Sequence, residues 1–197
     1  MNSRKKLLDL FRRRGGLLRA SEVRALGVHH RWLARLVAEG TIERPRQGLY
    51  RLPDADPGSS LVEAAQSVPH GVVCLLSALS YHDLTTFNPP EVTLAVERGR
   101  RLPRVEHPPL HIVFFSARTF RPGIEEVSIN RHRVRMYSVE KTICDCFRYR
   151  HKIGMDVALE GLRNYLRRRD RDLGRLLKLA EVCRVRRVMT PYLEALV

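Results

Sequence analysis

Residues 21–52 read SEVRALGVHHRWLARLVAEGTIERPRQGLYRL, and their spacing decides the fold. Ser21 has the chemistry of a helix N-cap, an oxygen that can accept a bond from an orphan backbone N–H. A short helix is expected to end at Gly27, where a left-handed residue turns the chain sharply. After Val28 a second helix spans 30–39, with Leu33, Leu36 and Val37 on one face at helical spacing. Gly40 stops it. Residues 41–44 and 49–52 then read as two short strands around Pro45, Arg46, Gln47 and Gly48. Helix, tight turn, helix and β-hairpin in that order describe a winged helix-turn-helix.

The charge distribution fits that motif. The chain of 197 residues has a net charge of +15. Residues 1–53 hold thirteen Lys/Arg against four Asp/Glu, residues 54–137 hold nine of each, and residues 138–197 hold fourteen against eight. A basic block that coincides with a helix-turn-helix has the electrostatic footprint of DNA binding, because each neutralised phosphate releases counterions. A general RNA- or nucleoid-binding protein would spread its charge evenly, and the neutral middle argues against one.

Hydrophobic content of 44% is enough for a packed core. No apolar run reaches membrane-spanning length, so no membrane association is expected. The basic start MNSRKKLLDLFRRR lacks the apolar core of a signal peptide and reads as an amphipathic helix over 3–14. A cytoplasmic protein is expected. Cys74, Cys144, Cys146 and Cys183 form no CxxC pair and read as buried, reduced thiols. A metal site combining Cys144 or Cys146 with Cys183 and a histidine is the weaker alternative; neither metal nor cofactor is expected.

Candidate contacts follow from position. On the second helix, Arg31 and Arg35 lie one turn apart, opposite the apolar face, where they could fork onto guanine. Ala34 and Ala38 beside them would let the helix lie close in a groove. His29 and His30 open that helix, where base contacts usually occur; for His29, helix capping is an equal alternative. Arg4, Lys5, Arg12, Arg13 and Arg14 on the first helix, with Arg44, Arg46, Gln47 and Arg51 on the wing, are the candidate phosphate contacts.

Three units are expected: the winged helix at 1–53, a breaker-rich linker at 54–59, and an α+β domain at 60–197. In the last, Ser60 and Glu63 have capping-box spacing, and 72–83 reads as a helix. Residues 91–97, 110–115, 124–129 and 133–137 read as strands of a small mixed or antiparallel sheet (about 91–137). Ser138 caps a helix at 139–150, and helices at 156–169, 172–183 and 186–196 complete a layer over about 138–197. Arg163, Arg167, Arg168, Arg169 and Arg171 read as solvated cations near a helix end.

GV at 27–28 and RQGLYRL at 46–52, together with YSVEKTICDCFRYRHKIGMDVALEGLRNYLRRR at 137–169, VVCLLSALSYHDLT at 72–85 and VMTPYLEALV at 188–197, resemble the AbiEi family of antitoxins. That resemblance implies a DNA-binding autorepressor of its own operon, acting on inverted repeats in double-stranded DNA. It also implies the antitoxin half of a type IV pair, opposing a nucleotidyltransferase-like toxin without a stable complex. Base reading carries over onto His30, Arg31 and Arg35.

An enzyme is not expected. Glu140 and Lys141 lack the E-x-K spacing of a nuclease, and there is no P-loop, G-x-S-x-G or G-x-G-x-x-G. Glu140 and Asp145 read as cap and surface ion-pair groups. The alternative function is a stand-alone winged-helix transcription factor whose C-terminal domain binds a ligand or a protein partner.

Overall fold

The computed structural model describes residues 3–14, 16–53 and 59–196. Its first unit comprises α1 (Ser3–Arg13), β1 (Leu17–Arg19), α2 (Ala20–Ala25), α3 (Arg31–Ala38), β2 (Glu43–Arg46) and β3 (Leu49–Arg51). Leu7, Phe11, Leu18, Val23, Leu33, Leu36 and Ile42 form its core, with Trp32 and Tyr50 packed against it. The helical apolar spacing brings three helices onto one small cluster. Gly27 has φ +69°, which lets the chain reverse between α2 and α3 without Cβ strain.

Two local expectations change. Ser21 lies inside the first turn of α2, and the residue before that helix is Arg19, whose backbone N–H donates to Glu22 Oε2 at 2.8 Å. Glu22 can reach back from the third helical position, and this outcompetes the hydroxyl one residue too late. The second change is β1, which the sequence reading leaves unassigned. Leu17, Leu18 and Arg19 pair antiparallel with Arg51, Tyr50 and Leu49, so β3 is the central strand of a three-stranded sheet ordered β1-β3-β2.

The expected linker falls largely on 54–58, outside the described residues. The second unit begins with α4 (Ser59–Ser67), then β4 (Val72–Val73), α5 (Leu75–Tyr81), β5 (Val92–Glu97), β6 (Leu110–Phe115), α6 (Ala117–Phe120), β7 (Ile124–Ile129) and β8 (His132–Tyr137). It ends with α7 (Val139–Arg148), α8 (Arg150–Ile153), α9 (Met155–Leu166), α10 (Leu173–Val182) and α11 (Arg186–Leu196). The sheet is mixed, ordered β6-β5-β4-β8-β7. Adjacent pairs β5–β6 and β4–β8 are parallel, while β4–β5 and β7–β8 are antiparallel.

Residues 72–83 are therefore not one helix. Gly71 and two β-branched valines place Val72 and Val73 in the middle of the sheet, and the helix starts only after Cys74. Ser60 likewise lies within α4 rather than capping it, and Glu63 turns away to meet Arg51, at 2.9 Å.

The alternation of each strand divides two cores. Leu94, Val96, Val134 and Met136 face α4 and join Val62, Val68 and, from the first unit, Leu17 and Leu49. Ala95, Val113, Phe115 and Tyr137 face the helical layer of α5, α7, α9, α10 and α11.

At the centre of that layer lies α7. Ser138 caps it, its hydroxyl accepting from the Lys141 N–H at 3.3 Å. Glu140 and Asp145 are not surface groups. Asp145 is fully buried, and its Oδ2 lies 2.5 Å from the Nζ of the equally buried Lys141. The Lys141 ammonium also sits 4.1 Å from the Tyr137 ring centroid and 5.0 Å from that of Phe115, so both faces of the cation are compensated. Glu140 meets Ser138, Tyr165 and Arg175. The sequence reading places these acids outside because charged residues are seldom buried; here i,i+4 spacing gives Lys141 its partner inside the core.

Lys141→Met would leave a buried carboxylate without its counter-charge and should cost about 3–5 kcal/mol in urea unfolding. Lys141→Met with Asp145→Leu should recover most of that loss, because a well-packed apolar pair can replace a buried ion pair. Acid should also weaken the fold through His82, whose Nε2–H donates to the Tyr137 carbonyl at 2.8 Å. Burial pushes the His82 imidazole below its ordinary value of 6.5, so the folded state resists its protonation. This contribution is full above pH 6.5 and declines as pH falls below it. Unfolding free energy measured across that range should therefore drop, and the drop should be smaller in His82→Gln.

Candidate nucleic-acid interface

The exposed side of α3 is built by subtraction. Leu33 and Leu36 are buried, which turns Arg31, Ala34, Arg35 and Ala38 outward. Two small side chains thus share one exposed helical face with two arginines. The preceding turn presents His29 and His30, both exposed, with ring centroids 4.3 Å apart. His29 Nδ1 accepts from the Arg31 N–H at 3.2 Å, so this imidazole closes the start of α3 in place of a hydroxyl cap. His30 stands at the cap position itself.

Arg35 is held at its base. Its Nε donates to Glu39 Oε1 at 2.8 Å, and its guanidinium lies 5.6 Å from the Trp32 ring centroid. Arg4 reaches Glu39 at 3.4 Å, which ties the start of α1 to the end of α3. Exposed ion pairs of this kind contribute little to stability and exchange readily for other anions. Arg31, by contrast, projects from the first turn of α3.

The hairpin sorts its cations differently. Arg44 is exposed and stacks 5.8 Å from the Tyr50 ring centroid. Gln47 is exposed in the turn, where Gly48 takes φ +80°. The side chain of Arg46 lies outside the described residues. Arg51 departs from its expected role as a phosphate contact. Its guanidinium is only 25% exposed and meets Glu43 at 2.7 Å and the buried Glu63 at 2.9 Å. The hydrogen bond to Glu43 is the main cause that raises its pKa further. Arg51 joins the two units, and Leu17 and Leu49 complete that junction beside it.

On α1, Lys5, Arg12 and Arg13 are exposed, with Arg12 meeting Asp9 at 3.7 Å. Arg13 lines a hollow with Lys6, Leu10, Leu26 and Val28, next to the turn between α2 and α3. The carbonyls of Arg13 and Arg14 face the second unit. Arg131 donates to the former at 3.2 Å, and His132 Nε2 bonds the latter.

Sequence reasoning misses one basic feature. Arg131, Arg133 and Arg135 gather with Arg14 and Arg19 around a cleft of about 520 Å³ between the units. The signal is present in RHRVR at 131–135, where arginines alternate at strand period. Another basic stretch, RGRRLPR at 98–104, is a largely exposed loop. In the Arg163–Arg171 cluster, Arg168 pairs with Asp170 at 2.9 Å and bonds the His82 carbonyl.

The four cysteines are free and buried. Burial pushes the Cys74 and Cys146 thiols well above their usual range, which disfavours the reactive thiolate. Among the described residues, no group of three or more His, Cys, Asp and Glu side chains could hold a metal ion. Among them also, no helix is long and apolar enough to cross a membrane.

Residues 5–53 match the family model described as "Transcriptional regulator, AbiEi antitoxin". The match covers α1 to the end of the hairpin, the part of the chain that carries the exposed α3 face. It supports an antitoxin and transcription-regulation role with DNA as a partner. No curated protein matches the chain at a significant level.

The geometry separates the hairpin arginines experimentally. Arg51→Ala would leave the buried Glu63 carboxylate only His107, 3.8 Å away, and should lower stability by about 2 kcal/mol in chemical unfolding. Arg44→Ala, on an exposed side chain, should change stability by less than about 0.5 kcal/mol.

Proposed function

We propose that residues 1–53 form a winged helix-turn-helix that reads double-stranded DNA in the major groove through α3. The observation that carries this is the outward face of that helix, Arg31, Ala34, Arg35 and Ala38, opposite the buried Leu33 and Leu36. Each guanidinium is a planar fork that suits a guanine edge, and Ala34 and Ala38 on the same face allow close approach. His30 stands at the end of the helix that usually meets base edges. Lys5, Arg12 and Arg13 on α1, with Arg44 and Gln47 on the hairpin, are exposed polar or cationic groups suited to phosphates.

The DNA is the operator of the protein's own operon, arranged as inverted repeats, and the protein is a cytoplasmic autorepressor. Residues 60–197 form the antitoxin domain of a type IV pair, opposing a nucleotidyltransferase-like toxin without a stable complex. The family match at residues 5–53 supports the regulator role. The antitoxin role of the second domain rests on the resemblance of 137–169 and 188–197.

A gel-shift titration against the upstream region of the gene, with unrelated DNA as competitor, tests the reading. Arg31→Ala and Arg35→Ala should each weaken operator binding by about 1–3 kcal/mol while leaving binding to unrelated DNA nearly unchanged. Arg13→Ala should weaken both DNAs alike and flatten the salt dependence. Equal wild-type affinity for the two DNAs would overturn sequence-specific reading.

A further inference from the structure

Three of the arginines around the cleft between the two units, the half-buried Arg19 and Arg135 and the exposed Arg131, hydrogen-bond backbone carbonyls. Arg19 donates to the carbonyl of Gln66, Arg131 to that of Arg13, and Arg135 to that of His70. A carbonyl satisfies the hydrogen bond and supplies no charge. Two carboxylates line the same cleft. Glu22 is engaged by the Arg19 backbone N–H, and Glu126 reaches the largely exposed Arg133 at 3.5 Å. With Arg14 included, five guanidiniums face two carboxylates, an excess of three positive charges in one concavity.

The fold creates this concavity. Strand β4 is two residues long and meets β8 at Val73↔Met136, so residues 131–135 run on past its end. The end of α4 roofs the gap with Ala65 and Gln66, and the first unit closes it with Arg14 and Arg19. His132 fixes the wall. It is 7% exposed, with Nε2 on the Arg14 carbonyl and Nδ1 3.1 Å from Gln66 Nε2. These bonds hold the two sides in register while the arginine heads beside them keep donors to spare, since each guanidinium carries five.

We infer that this cleft is a binding site for a small phosphate-bearing ligand. Its volume of about 520 Å³ falls within the range of small-molecule pockets, which often lie between domains. Planar guanidinium forks suit phosphate oxygens, and clustered like charges in a concave site focus the field on an incoming anion. Because Arg14 and Arg19 come from the first unit and Arg131, Arg133 and Arg135 from the second, a bound phosphate group is held by both. The ligand therefore ties the junction together. The site exists whether or not α3 reads DNA, and the two ideas fail separately.

Calorimetric titration of the full chain with inorganic pyrophosphate tests the site. Saturable binding is expected, weakened about tenfold or more in Arg131→Gln and in Arg135→Gln, a loss of about 1.4 kcal/mol per factor of ten. Neither residue belongs to the proposed DNA face, and Arg133→Gln provides a third variant on a well-exposed side chain should either fold poorly. A short DNA duplex added to the loaded protein should leave the pyrophosphate bound. Absence of saturable binding would overturn the proposal, as would binding indifferent to all three substitutions. Displacement of pyrophosphate by the duplex, with DNA affinity reduced in the same variants, would also overturn it by assigning the cleft to the DNA backbone.

Discussion

A buried charge pair sets the arrangement of the second unit. The ammonium of Lys141 and the carboxylate of Asp145 lie one turn apart on α7 with no exposure to water. Charges so placed are tolerated only when every side of them is matched. The matching recruits the surrounding elements. Tyr137 at the end of β8 and Phe115 at the end of β6 lay their rings beside the ammonium, and the Cys183 thiol at the end of α10 donates to Asp145 Oδ1 at 3.6 Å. Gly123, before β7, is needed for the same reason. Its φ is +74°, and a Cβ there would stand 2.6 Å from Lys141 Cβ. Sheet, helical layer and the turn before β7 are thus fixed around two atoms of opposite charge.

The first unit is fastened to this frame by a different balance. Leu17 and Leu49 contribute apolar surface to the core beneath α4, and Arg51 spans the same seam to Glu63. Leucine burial provides adhesion without direction, whereas an arginine between two carboxylates admits few geometries. Position is therefore fixed by the ion pair and affinity by the leucines. The three-stranded sheet matters here because β1, paired along β3, presents Leu17 at the seam.

Legibility in the sequence followed the range of the interactions. The α2–α3 turn at Gly27, the outward face of α3, the strands at 110–115 and 124–129 and the Ser138 cap all depend on neighbours within a few residues, and these could be read directly. Interactions between distant residues could not. Val72 and Val73 read as helix because Leu75, Leu76 and Leu79 continue their apolar pattern; only the flanking strands β5 and β8 make them a strand. Glu63 reads as the capping-box partner of Ser60 and Asp145 as a surface ion-pair group, because the partners they meet, Arg51 and the buried Lys141, are set by the fold. Arg51 looked like a phosphate contact because the carboxylate it serves lies twelve residues away, across the expected linker. The candidate face was legible for α3 and less so for the hairpin, where Arg51 turned inward.

A net charge of +15 gives the sign of a partner but no location, and the structure shows why. Arginine acts in this chain in three ways. Arg51, Arg168 and Arg175 are neutralised by nearby carboxylates, so they serve the fold and add little to the outer field. Arg31, Arg44 and the cations of α1 stand in solvent, where their charge acts at a distance and is screened by salt. Arg19, Arg131 and Arg135 are oriented by carbonyls that leave their charge in place. The third arrangement costs stability through repulsion between like charges in a concave space, although Arg19 and Arg131 also link the two units and Arg135 lies 5.9 Å from the Phe120 ring centroid. A hydrogen-bonded but uncompensated cation is preorganised for an anion, because its geometry is already set and the incoming charge removes the repulsion.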